Sequence, residues 1–274
     1  MSNPALFTER DAAGAYEVLA AATDSPSVLA VLTDEELLAL GGQDAARITG
    51  TPFLEKLEIP DDASASIALR SLIARGLVTL DDDHAEPEGE QLSTGTPAAP
   101  RITQLDRTLA GLMTLRGAPR ALMNLSRRVA DQTTGITVYV FPDGGILEEL
   151  VTVDGFHHFS VPTRTALPSR LARYVDQAQV ASGEDRVVYQ GELAGLDDPA
   201  QPAAGRLADT RALTVMTAAD AGGAGVQVSL MATSDGVFAM DTPDDIDEST
   251  QLREVSADGL LTLIEAAIPE VSAL

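Results

Sequence analysis

The chain contains no cysteine and no tryptophan. Disulfides, cysteine-bound zinc and thiol catalysis are therefore excluded from the outset. Aromatic residues make up only 4%, so any core has to be built from Leu, Val, Ile and Ala. Lysine is nearly missing as well: Lys56 stands alone among 18 basic residues. No apolar run approaches the ~20 residues that a membrane span requires. The opening Met-Ser-Asn-Pro-Ala-Leu-Phe-Thr-Glu-Arg lacks the basic start and apolar stretch of a signal peptide. A cytoplasmic protein is the expectation.

What is present bounds the answer further. A length of 274 residues allows one large domain, or a small one followed by a larger one. With 45% hydrophobic and 22% charged residues the chain can bury a core. Asp and Glu total 42 against 18 basic residues, a formal net charge of -24. A field of that sign repels phosphates and anionic lipid, which argues against nucleic acid and membrane as partners. The acids cluster at Asp81, Asp82, Asp83, Glu86, Glu88 and Glu90, and again at Asp241, Asp244, Asp245, Asp247 and Glu248. Between them Arg101, Arg107, Arg116, Arg120, Arg127 and Arg128 form one basic stretch.

Local signals give an order of elements. Thr8 opens a helical pattern with Ala12, Ala15, Tyr16, Leu19 and Ala20 on one face. Thr33-Asp34-Glu35-Glu36 is a capping box, and Gly41-Gly42 ends the helix it starts. A further helix is expected after Asp61, with Gly76 taking the left-handed turn before a strand at Leu77–Leu80. Residues 81–100 read as an acidic, Pro/Gly/Ser/Thr-rich linker. Helices resume at about Thr103, break near Gly117-Ala118-Pro119 and continue to Asp131. A meander follows: Ile136–Phe141, a turn at Pro142–Gly145, Ile146–Val153, a turn at Asp154-Gly155, Phe156–Val161, then a helix from Leu167 to Val180. Arg186–Tyr189 is strand-like and Gly191–Gly205 loop-like. The order then recurs with Val226–Met231, Ser234-Asp235-Gly236, Val237–Met240, Leu252–Val255 and a helix capped by Ser256 and ended by Pro269.

Strand, glycine turn, strand, strand, helix thus occurs twice, at about 119–180 and 210–270. A single meander with one helix leaves edges and a face uncovered. Two placed side by side form one larger sheet with helices on a common face. The expected fold class is α+β, mainly antiparallel, with 1–80 a helical, winged-helix-like segment, 81–100 a linker and 101–274 one domain.

Chemistry is hard to find. His84 lies in the acidic stretch, and His157 and His158 are adjacent in a strand, pointing to opposite faces, so they cannot chelate one metal together. The acids from Asp241 to Glu248 lack the spacing and central glycine of a calcium loop. Gly222-Gly223-Ala224-Gly225 precedes a strand, the wrong order for a phosphate cradle. No catalytic residue, metal site or cofactor is expected. Asp62–Val78 has the form of a winged-helix joint, but offers only Arg70 and Arg75 to phosphates before running into Asp81-Asp82-Asp83.

The Leu-x-x-Leu-x-x-Arg-Gly-Leu-Val joint from Leu69 to Val78, the Leu-rich helix from Leu105 to Leu115, and the strand-to-helix steps Phe156–Leu171 and Leu252–Ile264 resemble the EspG-like, type VII secretion-associated proteins of actinobacteria. The resemblance implies a cytosolic, acidic, non-enzymatic chaperone for secreted helical-hairpin substrates of the PE–PPE type. A broad sheet with an apolar patch would shield the tip of such a hairpin, with Phe156, Phe159, Val237, Phe238 and Met240 as candidate contacts, each of which taken singly also fits an ordinary core position. Arg127 and Arg128 would meet acids of the partner or neutralise the chain's own acidic runs. A winged-helix regulator or ligand sensor is the other reading, and an enzyme with dispersed carboxylates a third.

Overall fold

The computed structural model describes residues 8–56, 61–80, 102–181, 183–198, 200–220, 225–241 and 249–271. The linker 81–100 with His84, residues 222–224 of the glycine run and the acids Asp244 to Glu248 lie outside them. In chain order the elements are α1 (Glu9–Ala20), β1 (Ala30–Thr33), α2 (Asp34–Thr49), α3 (Asp61–Ala74), β2 (Val78–Leu80), β3 (Ile102–Leu105) and α4 (Arg107–Gly117). There follow β4 (Ala121–Val129), β5 (Gln132–Val140), β6 (Ile146–Val151), β7 (Phe156–Ser160) and α5 (Leu167–Val175). The chain ends with β8 (Arg186–Glu192), α6 (Pro202–Leu207), β9 (Ala212–Asp220), β10 (Gly225–Ala232), β11 (Val237–Asp241), β12 (Ser249–Val255) and α7 (Ala257–Ala267).

Two compact units divide the chain: Met1–Val18 with Leu32–Gly117, and Leu19–Val31 with Ala118–Leu274. In the smaller unit the capping box forms as the sequence requires. Thr33 Oγ1 accepts from Glu36 N–H, and the Glu36 carboxylate accepts from Thr33 N–H. Gly42, at φ 61°, interrupts α2 without ending it. Gly76, at φ 72°, ends the turn after α3. Glu36 also receives Arg75 from the end of α3 at 2.7 Å and the Ser71 hydroxyl at 3.1 Å, tying α3 to the start of α2. Asp34 is completely buried, and its Oδ2 accepts from Phe53 and Leu54 N–H at 2.8 and 3.1 Å. Asp34→Ala strands those two amides and is expected to destabilise the protein by about 1–3 kcal/mol, read in urea unfolding. Tyr16 departs from the sequence expectation: 77% exposed, it does not share the buried face of Ala15 and Val18.

The larger unit is built on a ten-stranded sheet in the order β1-β7-β6-β5-β4-β9-β10-β11-β12-β8. Its centre is the antiparallel pair β4–β9, running from Ala121 opposite Asp220 to Arg128 opposite Leu213. A pseudo-two-fold axis passes near Leu125 and Met216. On one side β4 to β7 lead outward into α5; on the other β9 to β12 lead outward into α7. In each half a preceding strand, β1 or β8, closes against the last strand of the meander. The chain between those two strands differs in size. In the second half it holds only a 3-10 turn at Leu193–Asp197 and α6, whereas in the first half it holds the whole of 34–117. The α+β class and the two meander-plus-helix copies are as the sequence implied.

Both helices serve one face. Leu167, Leu171, Tyr174 and Val175 of α5 and Leu260 and Ile264 of α7 share a core with Met123, Leu125, Val138, Val140, Met216, Val228, Leu230, Val237 and Ala239. Ser256 caps α7, its side chain accepting from Gly259 N–H at 2.9 Å. On the opposite face of the second half, Leu196 and Ala203 cover Met231, Phe238 and Leu252.

Three expectations are corrected. Residues 121–129 form a strand, not a helix: Leu122, Leu125 and Val129 have helical spacing, but Ala121, Met123 and Leu125 are the ones buried, with period two. Pairing with both β5 and β9 overrides the local signal. Residues 102–105 form β3 before α4 starts, and Asp106 caps α4 by accepting from Thr108 and Leu109 N–H. Finally, β9 has no counterpart in the sequence reading, and Gly191–Gly205 carries α6 instead of plain loop.

Candidate partner-binding surface

Two helices cannot cover a sheet of this width. Ten strands span roughly 43 Å at about 4.8 Å spacing, and each helix with its side chains covers about 10 Å. Because α5 and α7 lie in contact with one another, helix-covered sheet gives way to open sheet on the far side of α7. There the structure has a groove of about 780 Å³. Its floor is sheet: Val226 and Val228 of β10, Asp241 of β11, Arg253 and Val255 of β12, Val187 of β8. Its wall is the outer flank of α7, with Asp258, Gly259, Thr262, Leu263, Ala266 and Ala267.

The placement follows from pleat and helix period. Val228 and Val255 belong to the helix-side core. Val226, two residues before Val228, therefore points to the same face but lies beyond the reach of α7. Val187 pairs with Arg253 on the outermost strand. The two valines are 53% and 52% exposed, apolar side chains held in water at one site. Charges rim the groove. Arg186 pairs with Glu254 at 2.6 Å and Arg253 with Asp241 at 3.3 Å. Asp185 accepts from Ser256 N–H at 2.7 Å, and neither it nor Asp258 has a cation partner among the described residues.

The residues singled out from sequence do not assemble into one patch. Phe159, Val237 and Phe238 are completely buried, so the expected apolar surface at these three positions gives way to a core role. Phe238 lies beneath the Arg206 guanidinium, 5.8 Å from its ring centroid. Met240 is half-buried against the same cluster. Phe156 is exposed at 43%, but on β7, in the other half of the sheet from β11. Arg127 is half-buried on the helix side near Tyr174, whose phenol burial pushes up while Thr134 and Arg127 pull it back. Arg128 is exposed on the other face. A strand pattern shows alternation without showing which face is covered, so it does not separate the buried Phe159, Val237 and Phe238 from the exposed Phe156. The groove draws on β8, β10, β11, β12 and α7, so no local motif announces it; the only sequence signal is the apolar alternation of Val226 and Val228 running past the point that α7 reaches.

Elsewhere the histidines behave as the strand reading requires. His157 is completely buried with its Nδ1 2.6 Å from Glu149 Oε1, and His158 is half-buried on the other side. The Tyr139 hydroxyl donates to Glu149 Oε2, completing a buried Tyr–Glu–His cluster that sequence reasoning missed. All three side chains are closed to solvent. Among the described residues no three His, Cys, Asp or Glu side chains gather to hold a metal ion, and no helix is long and apolar enough to cross a membrane.

The fold has a solved relative. It is similar to EspG5, the type VII secretion system chaperone of Mycobacterium tuberculosis, determined in complex with a PE25–PPE41 dimer. The likeness covers 87% of this chain and 93% of EspG5, with a TM-score of 0.50 and 12% sequence identity. At that identity it establishes the fold. No family model and no curated protein sequence matches the chain.

Proposed function

We propose that this chain is a non-enzymatic adaptor that holds an apolar surface of a protein partner out of water, in the manner of a type VII secretion chaperone. The observation that carries the reading is the likeness to EspG5 across nearly the whole of both chains. The uncovered sheet beside α7, with Val187 and Val226 in solvent, supplies a place for apolar surface to be buried. The net charge of -24 keeps such a complex dispersed. Phe156 and Arg128, exposed elsewhere on the sheet, are available to the same partner.

Co-expression with a PE–PPE dimer encoded by the same genome tests the proposal. A stoichiometric ternary complex on size exclusion is expected, with the dimer staying soluble longer than it does alone. Failure of every such dimer to join the chain or to gain solubility overturns it.

The α2–α3–β2–β3 order gives a DNA-binding reading its one structural argument. Arg75, half of its cationic equipment, is engaged by the buried Glu36 carboxylate. Binding of DNA at low salt, abolished by Arg70→Ala, would revive that reading.

A further inference from the structure

The groove beside α7 has the features of a seat for a helix. Its floor is the face of a sheet and its wall the flank of a helix, and the element that covers sheet face next to a helix is another helix, packed at about 10 Å. The wall is shallow where Ala266 and Ala267 stand, which lets a second backbone come close; at Gly259 the Asp185 carboxylate already fills the place of the missing side chain. An extended segment would instead add to the outer edge of β8, outside this hollow.

Charge narrows the occupant. Both rim arginines are already engaged, Arg186 with Glu254 and Arg253 with Asp241. What is left over is acidic: Asp185 beside the N-terminus of α7 and Asp258 in its first turn. The chain as a whole, at -24, repels a second copy of itself and an acidic ligand alike.

We propose that the groove receives one amphipathic helix of the partner protein, laid alongside α7, with an apolar face on Val187, Val226 and Leu263 and with Lys or Arg on its flank toward Asp185 and Asp258. This rests on the reading above that the partner is a helical protein, and it assigns the surface and the chemistry of the segment that docks there.

The test uses the full chain and two labelled synthetic helices, each about five turns long. They share an apolar stripe of Ala and Leu; one carries Lys on its flanks and the other Glu. Fluorescence anisotropy is expected to show the Lys-flanked helix binding at least about tenfold more tightly, with a gain of helical circular dichroism on binding. Since Val187 and Val226 are more than half exposed, the V187D/V226D double variant is expected to fold normally and to weaken that binding at least about tenfold. Ile67→Asp, which alters a still more exposed apolar residue on α3, is expected to leave it unchanged. Asp258→Asn is expected to weaken the Lys-flanked helix alone and to flatten its salt dependence. Equal binding of the two helices, binding without helix gain, or insensitivity to V187D/V226D overturns the proposal. So does a change of oligomeric state in that variant, which would make a second copy the occupant. If the Lys-flanked helix binds the groove but no PE–PPE dimer joins the chain, the groove assignment stands and the secretion-chaperone reading falls. If a dimer joins and V187D/V226D leaves both the complex and peptide binding intact, the reverse holds.

Discussion

Glu149→Ala is expected to lower the stability of the protein by about 3–5 kcal/mol, from two hydrogen bonds lost at a buried acceptor and the cavity left behind. Glu149 sits on β6, flanked by β5 and β7, and its two carboxylate oxygens serve different strands. Tyr139 of β5 donates to Oε2, and His157 of β7 brings its Nδ1 within 2.6 Å of Oε1. All three side chains are completely buried, so alanine removes the acceptor common to both neighbours and opens a cavity between them. Glu149→Gln keeps the shape and an acceptor oxygen, and is expected to lose less. Urea unfolding followed by circular dichroism measures both, and a loss under about 1 kcal/mol for alanine would show that the cluster contributes little beyond packing.

Gly111→Ala is expected to destabilise where helix propensity says it should stabilise. In an unhindered helix interior, replacing Gly by Ala gains about 0.5–1 kcal/mol. Gly111 of α4, however, crosses Gly14 of α1 backbone to backbone. A Cβ on Gly111 would fall on the Gly14 carbonyl and lie 2.7 Å from Ala15 N, and one on Gly14 would lie 2.6 Å from Arg107 O. Neither obstacle is a side chain that can swing away. The Arg107–Glu17 pair at 2.6 Å holds the same two helices together. The expected cost is at the upper end of overpacking, about 3 kcal/mol, and more for Gly111→Leu. Gly205 in α6 is the control, since nothing lies within 4 Å of its missing Cβ. Gly205→Ala is expected to raise the thermal midpoint while Gly111→Ala lowers it.

How much of this could be read from sequence depended on how local each determinant was. The capping box Thr33–Glu36, the left-handed Gly76, the turns around Gly144 and Gly155 and the Ser256 cap are each decided within a few residues, and each is found where the sequence puts it. Strand β4 was misread because its Leu122, Leu125 and Val129 satisfy a helical period as well as a strand one. Strand β9, Ala-Leu-Thr-Val-Met-Thr-Ala-Ala-Asp, carries three alanines of low strand preference and owes its state to being hydrogen-bonded on both sides. For Phe159, Val237 and Phe238 the sequence left a surface contact and a core role both open, because alternation fixes two faces without saying what lies over them; all three are buried. The groove beside α7 was out of reach for a related reason: its residues come from five elements that only the completed sheet brings together.

The pairing of β4 with β9 joins residues some ninety positions apart at the middle of the sheet. Every other strand of a half can find its neighbour within its own meander, apart from the outermost one. Severed at the linker between α5 and β8, either piece would therefore bare a long ladder of unsatisfied amides and carbonyls along its innermost strand. The remedy most readily at hand for such a fragment is a copy of itself, since an antiparallel seam related by two-fold symmetry is the seam the intact chain already has. The single polypeptide thus has the form of a two-fold symmetric homodimer with its subunits joined end to end, one carrying a long segment after its first strand and the other a short one.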